Sequence, residues 1–106
     1  MENALSYNAA LVLQALATGH GHGFDIMRVT HLASGTVYPL LRRLEAGGLV
    51  DSTWEDAGTA REEGRPARRY YTATPDGRSA LAAARERVVA QRALFDSGGL
   101  AGGESG

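Results

Sequence analysis

Cysteine is absent from the chain, and so is lysine: all 11 basic residues are arginine. Without cysteine there is no disulfide, no thiol nucleophile and no thiolate-based zinc or iron–sulfur site, which fits a reducing cytoplasm. No apolar run approaches the roughly 20 residues that a membrane-crossing helix needs, so no membrane partner is expected. The opening Met1-Glu2-Asn3 carries no basic cluster, so no secretory signal is expected and the location is read as cytoplasmic. A surplus of one charge is also lacking: 11 basic against 12 acidic residues leave a net charge of -1. That balance argues weakly against nucleic acid, whose binders are often basic overall.

Catalytic hallmarks are missing too. There is no nucleophile–base set, and Gly19, Gly21 and Gly23 lack the preceding strand and following lysine of a phosphate-cradling loop. His20 and His22 could converge on a metal, but no third ligand stands at conventional spacing. With His31 they read as solvent-exposed turn residues. An enzyme is not expected, and no cofactor or metal is called for.

What is present is enough for one domain. A chain of 106 residues buries only about 60–65% of its potential surface, so pairing with a second copy would help it. Leu5 to Ala17 reads as a first helix, with Leu5, Val12, Leu13 and Leu16 on an apolar face and Asn3 as a cap. Phe24 to Val29 reads as a short second helix, with Asp25 in the first turn where a negative charge is favoured. Ser34 suits the N-cap of a third helix running to Ala46. Val37, Leu40, Leu41 and Leu44 follow its buried stripe. Pro39 cannot donate to the ladder, so either this helix starts near Thr36 or its opening turn is irregular.

Gly47 and Gly48 end the third helix. Leu49 to Glu55 and Ala67 to Thr74 read as two strands joined by a long loop with a mobile tip. Pro75, capped by Thr74, opens a last helix from Asp76 to Phe95, and the Gly-rich tail from Ser97 to Gly106 reads as disordered. The expected fold is mainly α with a small β wing: a winged helix-turn-helix of three helices and a two-stranded hairpin, followed by a C-terminal dimerisation helix. Residues 4–74 form the DNA-binding domain, 75–96 the dimerisation helix and 97–106 the tail.

A recognition helix needs one face for its own core and another for the major groove. The third helix supplies both. Opposite its apolar stripe it offers Ser34, Thr36 and Tyr38 near its start, and Arg42 and Arg43 further along. Arg43 suits either DNA or an ion pair that holds the wing. The wing adds Arg61, Arg65, Arg68 and Arg69, a basic hairpin able to follow phosphates or enter the minor groove. Glu62 and Glu63 either dilute that field or pair with the arginines. Glu45 lies near a helix C-terminus, where an acid needs a partner, and Arg42 or a wing arginine suits it.

These residues carry a family resemblance. The run Ser34-Gly35-Thr36-Val37-Tyr38-Pro39-Leu40-Leu41-Arg42-Arg43-Leu44-Glu45-Ala46-Gly47-Gly48-Leu49-Val50 resembles the hallmark of PadR-like transcriptional regulators, as does Gly64-Arg65-Pro66-Ala67-Arg68-Arg69-Tyr70-Tyr71-Thr72-Ala73-Thr74-Pro75-Asp76-Gly77. His22-Gly23-Phe24-Asp25-Ile26 looks like the family's opening of the second helix, with His22 in place of the usual aromatic. The resemblance spans roughly residues 5 to 95. It implies a homodimeric repressor of the short-tailed kind that answers to a small molecule or a stress. Thr36 and Tyr38 fall where members touch DNA, Arg42 on the exposed side of the recognition helix, and Arg65 and Arg68 in the wing. The link between the second and third helices is shorter than in many members.

The expected DNA contacts are therefore Ser34, Thr36, Tyr38, Arg42, Arg43, Arg61, Arg65 and Arg68. The last helix is alanine-rich and permits close approach. With the first helix it is expected to form the dimer interface through Leu5, Val12, Leu16, Leu81, Ala84, Val88 and Phe95. Strand alternation puts one of Tyr70 and Tyr71 inside and one outside, and the lone Trp54 reads as core. An effector, such as a small aromatic or drug-like molecule, would then bind at the dimer interface or among the first and last helices. The alternative function is a winged-helix protein–protein module without DNA binding, which the near-neutral charge favours slightly.

Overall fold

In the computed structural model, residues 5–105 are described, with side chains through residue 97. The order is α1 (Tyr7–Ala17), α2 (Gly23–Thr30), α3 (Ser34–Ala46), β1 (Val50–Trp54), α4 (Ala57–Glu62), β2 (Arg69–Ala73) and α5 (Pro75–Ser105). This is the expected three-helix body with a two-stranded antiparallel wing and a long last helix.

Ser6, not Asn3, caps α1: its hydroxyl accepts from the Ala9 amide at 3.1 Å, and Asn3 lies outside the described residues. The turn between α2 and α3 is three residues long. It is made by His31, which adopts the left-handed conformation at φ 62°; histidine tolerates that region better than most side chains. Ser34 is the first residue of α3 and not its cap. Ala33 holds the cap position, and its carbonyl accepts from both the Thr36 and Val37 amides at 2.9 Å. The helix thus keeps its full length with an irregular opening, and Pro39 sits inside it.

The two strands pair with Val50 opposite Ala73, Ser52 opposite Tyr71 and Trp54 opposite Arg69. Between them the expected mobile loop is replaced by α4. Asp56 caps it by accepting from the Thr59 amide at 3.1 Å, and Ala60 is buried beneath it. One cap and one buried methyl organise a segment whose sequence shows no apolar periodicity.

The base of the wing is tied to α5. Thr74 caps that helix by accepting from the Gly77 amide at 3.0 Å, and its hydroxyl donates to the Gly48 carbonyl at 2.7 Å. Gly77 is buried where a Cβ would overlap the Leu49 carbonyl. Helix α5 continues to Ser105, beyond Phe95, and the segment expected to be a disordered tail is helical from Ser97 to that point. No proline follows Pro75 to interrupt the backbone ladder.

Val12, Leu13, Ile26, Val37, Leu41 and Val50 are fully buried and join α1, α2, α3 and β1 in one core, which Leu81 of α5 completes. Four residues expected at a dimer interface therefore serve the chain's own interior: Val12, Leu16, Leu81 and Ala84 are all buried. The face of α5 that carries Leu81 and Ala84 packs on the face of α1 that carries Val12 and Leu16. Leu5 is half-buried, whereas Val88 and Phe95 are exposed.

Candidate nucleic-acid interface

Helix α3 lies with Val37, Leu40, Leu41 and Leu44 in the core, and this burial turns Arg42 and Arg43 outward, where both are exposed. Neither makes an ion pair among the described residues. The start of the helix is equally open. No side chain caps it and no acid stands in its first turn. The first amides of a helix lack intrahelical partners, and such an uncapped end favours anions. Ser34 is exposed and Thr36 half-buried at this end.

Tyr38, expected as a DNA contact, also has a packing role. It is half-buried, and its phenol occupies the space over Gly23, where a Cβ would overlap the ring. Tyr38 therefore locks α3 against the start of α2, and Gly23 is required for that approach.

The wing arginines divide. Arg65 is held by Glu55, at 2.6 Å and 2.8 Å to the two carboxylate oxygens, and by Glu63 at 3.1 Å. Glu55 is only 9% exposed and also accepts from the Arg68 amide at 3.1 Å. The guanidinium hydrogen bonds hold the Glu55 carboxyl down at a pKa of about 2, and the same pairing raises that of Arg65. Arg65 is thus a staple across the hairpin and not an open cation.

Arg69 donates to the Ser52 hydroxyl at 2.8 Å and 3.0 Å, lies 3.6 Å from Glu45, and stacks over Trp54 at 5.3 Å. Ser52 in turn donates to Glu45 at 2.6 Å. This chain of contacts couples the end of α3 to the wing and supplies the partner that Glu45 needs: the wing arginine, not Arg42. Arg61 is exposed on α4, and Arg68 is half-buried with no ion pair among the described residues.

Trp54 is not core. It is 65% exposed at the end of β1. Tyr71 joins the core on the face shared with Ser52 and Trp54, and burial pushes its phenol pKa up. Tyr70 points the other way, but it too is half-buried, because His22 meets it edge-on at 5.6 Å. His20 and His22 differ from exposed turn residues in the same way. His22 is half-buried, and burial followed by the Arg68 charge lowers its pKa below 6.5. His20 bonds Asp25 at 2.8 Å, and that contact, with Arg28, lowers the Asp25 pKa. His31 is exposed. Among the described residues no three metal-binding side chains cluster, and no helix is long and apolar enough to cross a membrane.

Sequence reasoning missed the network through Arg69, the close packing at Gly23 and the exposure of Trp54. Two signals were available: Arg69 and Trp54 sit at facing strand ends, and Gly23 precedes an aromatic at the start of a helix.

A helix-turn-helix body, a recognition helix with an exposed basic face and a stapled hairpin wing together define a winged-helix regulator. The model of the transcriptional regulator PadR-like family matches residues 12–83. The chain belongs to that family, whose members are DNA-binding regulators and not enzymes. It is 45% identical over 60 residues to a transcriptional regulator of Mycobacterium tuberculosis; that match covers 57% of this chain and 45% of the relative's length. The structure is similar to a PadR family transcription regulator from Clostridium difficile, with a TM-score of 0.75 and 22% identity over 87% of this chain and 97% of that one. It is also similar to the PcaV transcriptional regulator of Streptomyces coelicolor, solved with its natural ligand, with a TM-score of 0.73 and 19% identity over 89% of this chain and 62% of that one.

Proposed function

We propose that this protein is a cytoplasmic repressor that binds a palindromic operator as a homodimer, is anchored through two copies of α3, and is relieved by a small molecule or a stress signal. One observation carries this reading: Arg42 and Arg43 stand exposed on the second half of α3, without an ion pair among the described residues, and the start of the same helix is uncapped and acid-free. Arginine pairs bidentately with phosphate and with guanine, so this face suits a major groove. Two such helices in a dimer would address half-sites about 34 Å apart.

The second copy is best accommodated on the outer side of α1 and α5. There an apolar groove of about 310 Å³ is lined by Tyr7, Leu11, Val88 and Val89, and Phe95, two turns beyond Val88 on the same face of α5, is 80% exposed. Of the expected interface residues, Leu81 and Ala84 form part of the floor of this groove, Val88 lines it and Phe95 stands exposed. An effector role is supported by the PcaV regulator, captured with its natural ligand.

The test is fluorescence anisotropy on a labelled duplex from the DNA upstream of the protein's own gene, beside a random duplex, at two salt concentrations. Tight, salt-sensitive binding that prefers the upstream duplex and is lost in the Arg42→Ala/Arg43→Ala variant is the expected result. Failure to bind either duplex at low salt would transfer the function to a protein-interaction module.

A further inference from the structure

Glu45 stands three positions beyond Arg42 on α3, a spacing at which an arginine and a carboxylate on one helix meet and pair. Such a pair would neutralise one of the two cations on which the proposed DNA face depends. The fold directs Glu45 elsewhere. Its carboxylate accepts from the Ser52 hydroxyl at 2.6 Å and lies 3.6 Å from the Arg69 guanidinium. Arg42 makes no ion pair among the described residues. Both arginines are nonetheless close to the acid. Burial raises the Tyr71 pKa, and the charges of Arg69, Glu45 and Arg42 all reach that one phenol.

Ser52 suits this arrangement in its chemistry. A hydroxyl has one proton to give and two lone pairs to offer. The proton goes to Glu45, and the oxygen receives Nε and Nη2 of Arg69 at 3.0 Å and 2.8 Å. Arg69 is held in turn by stacking over Trp54 at 5.3 Å and Tyr71 at 6.0 Å. Glu45 gains nothing from its own helix. It is the next-to-last residue of α3, where the backbone dipole disfavours an acid, so the wing supplies what offsets that placement.

We propose that Ser52 and Arg69 are positioning residues for DNA recognition: they hold Glu45 against the wing and so keep Arg42 open to a phosphate or a base. Neither has to touch DNA to do so. The effect on DNA rests on the operator reading; the choice of partner by Glu45 does not.

The partner choice is tested in the free chain by NMR of the arginine side chains. In Arg69→Gln, the Nε–H of Arg42 should exchange more slowly with water as Glu45 turns to it. That protection should disappear in Arg69→Gln/Glu45→Gln. An Arg42 signal indifferent to Arg69→Gln would overturn the proposal.

Operator binding by the same variants tests the consequence. Arg69→Gln should weaken binding by about two- to fivefold, the most that an exposed ion pair withholds. Adding Glu45→Gln should restore it, although Glu45→Gln alone changes little. In an Arg42→Ala background, Arg69→Gln should have no effect. Ser52→Thr, which keeps the hydroxyl, should bind like the parent. This non-additivity marks coupled residues, and neither a direct Arg69–DNA contact nor a loss of wing structure produces it. An equal loss from Arg69→Gln in all three backgrounds would overturn the positioning role. A parent chain that binds no duplex while Arg42 still changes partner would sink the operator reading and leave the exchange at Glu45 standing.

Discussion

The arginines of α3 and those of the wing are the same residue in two electrostatic situations. Arg42 and Arg43 have no acidic partner among the described residues and face solvent. Arg65 and Arg69, a short distance away, are tied to Glu55, Glu63, Ser52 and Glu45. The first pair is available to a polyanion at no internal cost. The second must abandon hydrogen bonds to reach one. A basic hairpin is therefore not automatically a DNA-binding one: in this wing, two arginines serve shape, and Arg61 and Arg68 are the cations without an ion pair among the described residues.

That contrast can be broken at its foundation first. Gly77→Ala should have the largest effect, because a Cβ there overlaps the Leu49 carbonyl and drives α5 away from the base of the wing. A loss of about 3 kcal/mol is expected, from overpacking against a backbone atom that cannot yield. Thermal unfolding should show it as a fall of roughly 15 °C in Tm. An unchanged Tm would mean that the close approach does not exist.

Next in size, Arg42→Ala/Arg43→Ala should weaken operator binding by about 10- to 100-fold while Tm stays put, since exposed substitutions of this kind shift stability by only about 0.5 kcal/mol. Glu55→Gln should act in the opposite sense. It should lower Tm by a few degrees at neutral pH and speed amide exchange in β1 and β2, with a smaller effect on DNA affinity. The pH dependence of the staple follows from its sign. The Glu55 pKa is depressed in the folded chain, so its contribution is complete above the ordinary carboxylate value of 4.5 and is lost as pH falls toward about 2. A carbon-detected NMR titration of Glu55 with a midpoint near 4.5 would contradict the pairing.

The smallest effect concerns His22, whose lowered pKa makes protonation unfavourable to the fold. Stability should therefore decline slightly as pH drops below 6.5, and the imidazole should titrate below that value by NMR.

Much of this architecture could be read from the chain alone, for a physical reason. Burial imposes a period, so Val37, Leu40, Leu41 and Leu44 announce α3, and the Gly47-Gly48 break announces its end. Thr74-Pro75 marks the start of α5 equally well. Helix α4 was invisible because a six-residue helix with a single buried Ala60 has no period to detect.

The pairing of Arg65 with Glu55 was hidden by their separation of ten positions along the chain. Only the hairpin register brings them together, and composition records both as surface charge. Val12, Leu81 and Ala84 show the converse limit. Apolar spacing says that a face is buried but not by what, and here α1 and α5 cover each other within one chain. Trp54 escaped because a tryptophan can be sheltered by a stacked arginine and still face water.

The central claim is that the arginines of α3, and not the stapled arginine of the wing, meet the phosphates. The most direct measurement is the slope of log Kd against log salt concentration for operator binding by the parent chain, by Arg42→Ala/Arg43→Ala and by Arg65→Ala. Each lost phosphate contact should flatten the slope by about one unit. The account predicts a flattening of about one to two units for the α3 variant and none for Arg65→Ala. A flattened slope for Arg65→Ala beside an unchanged one for the α3 variant would contradict it.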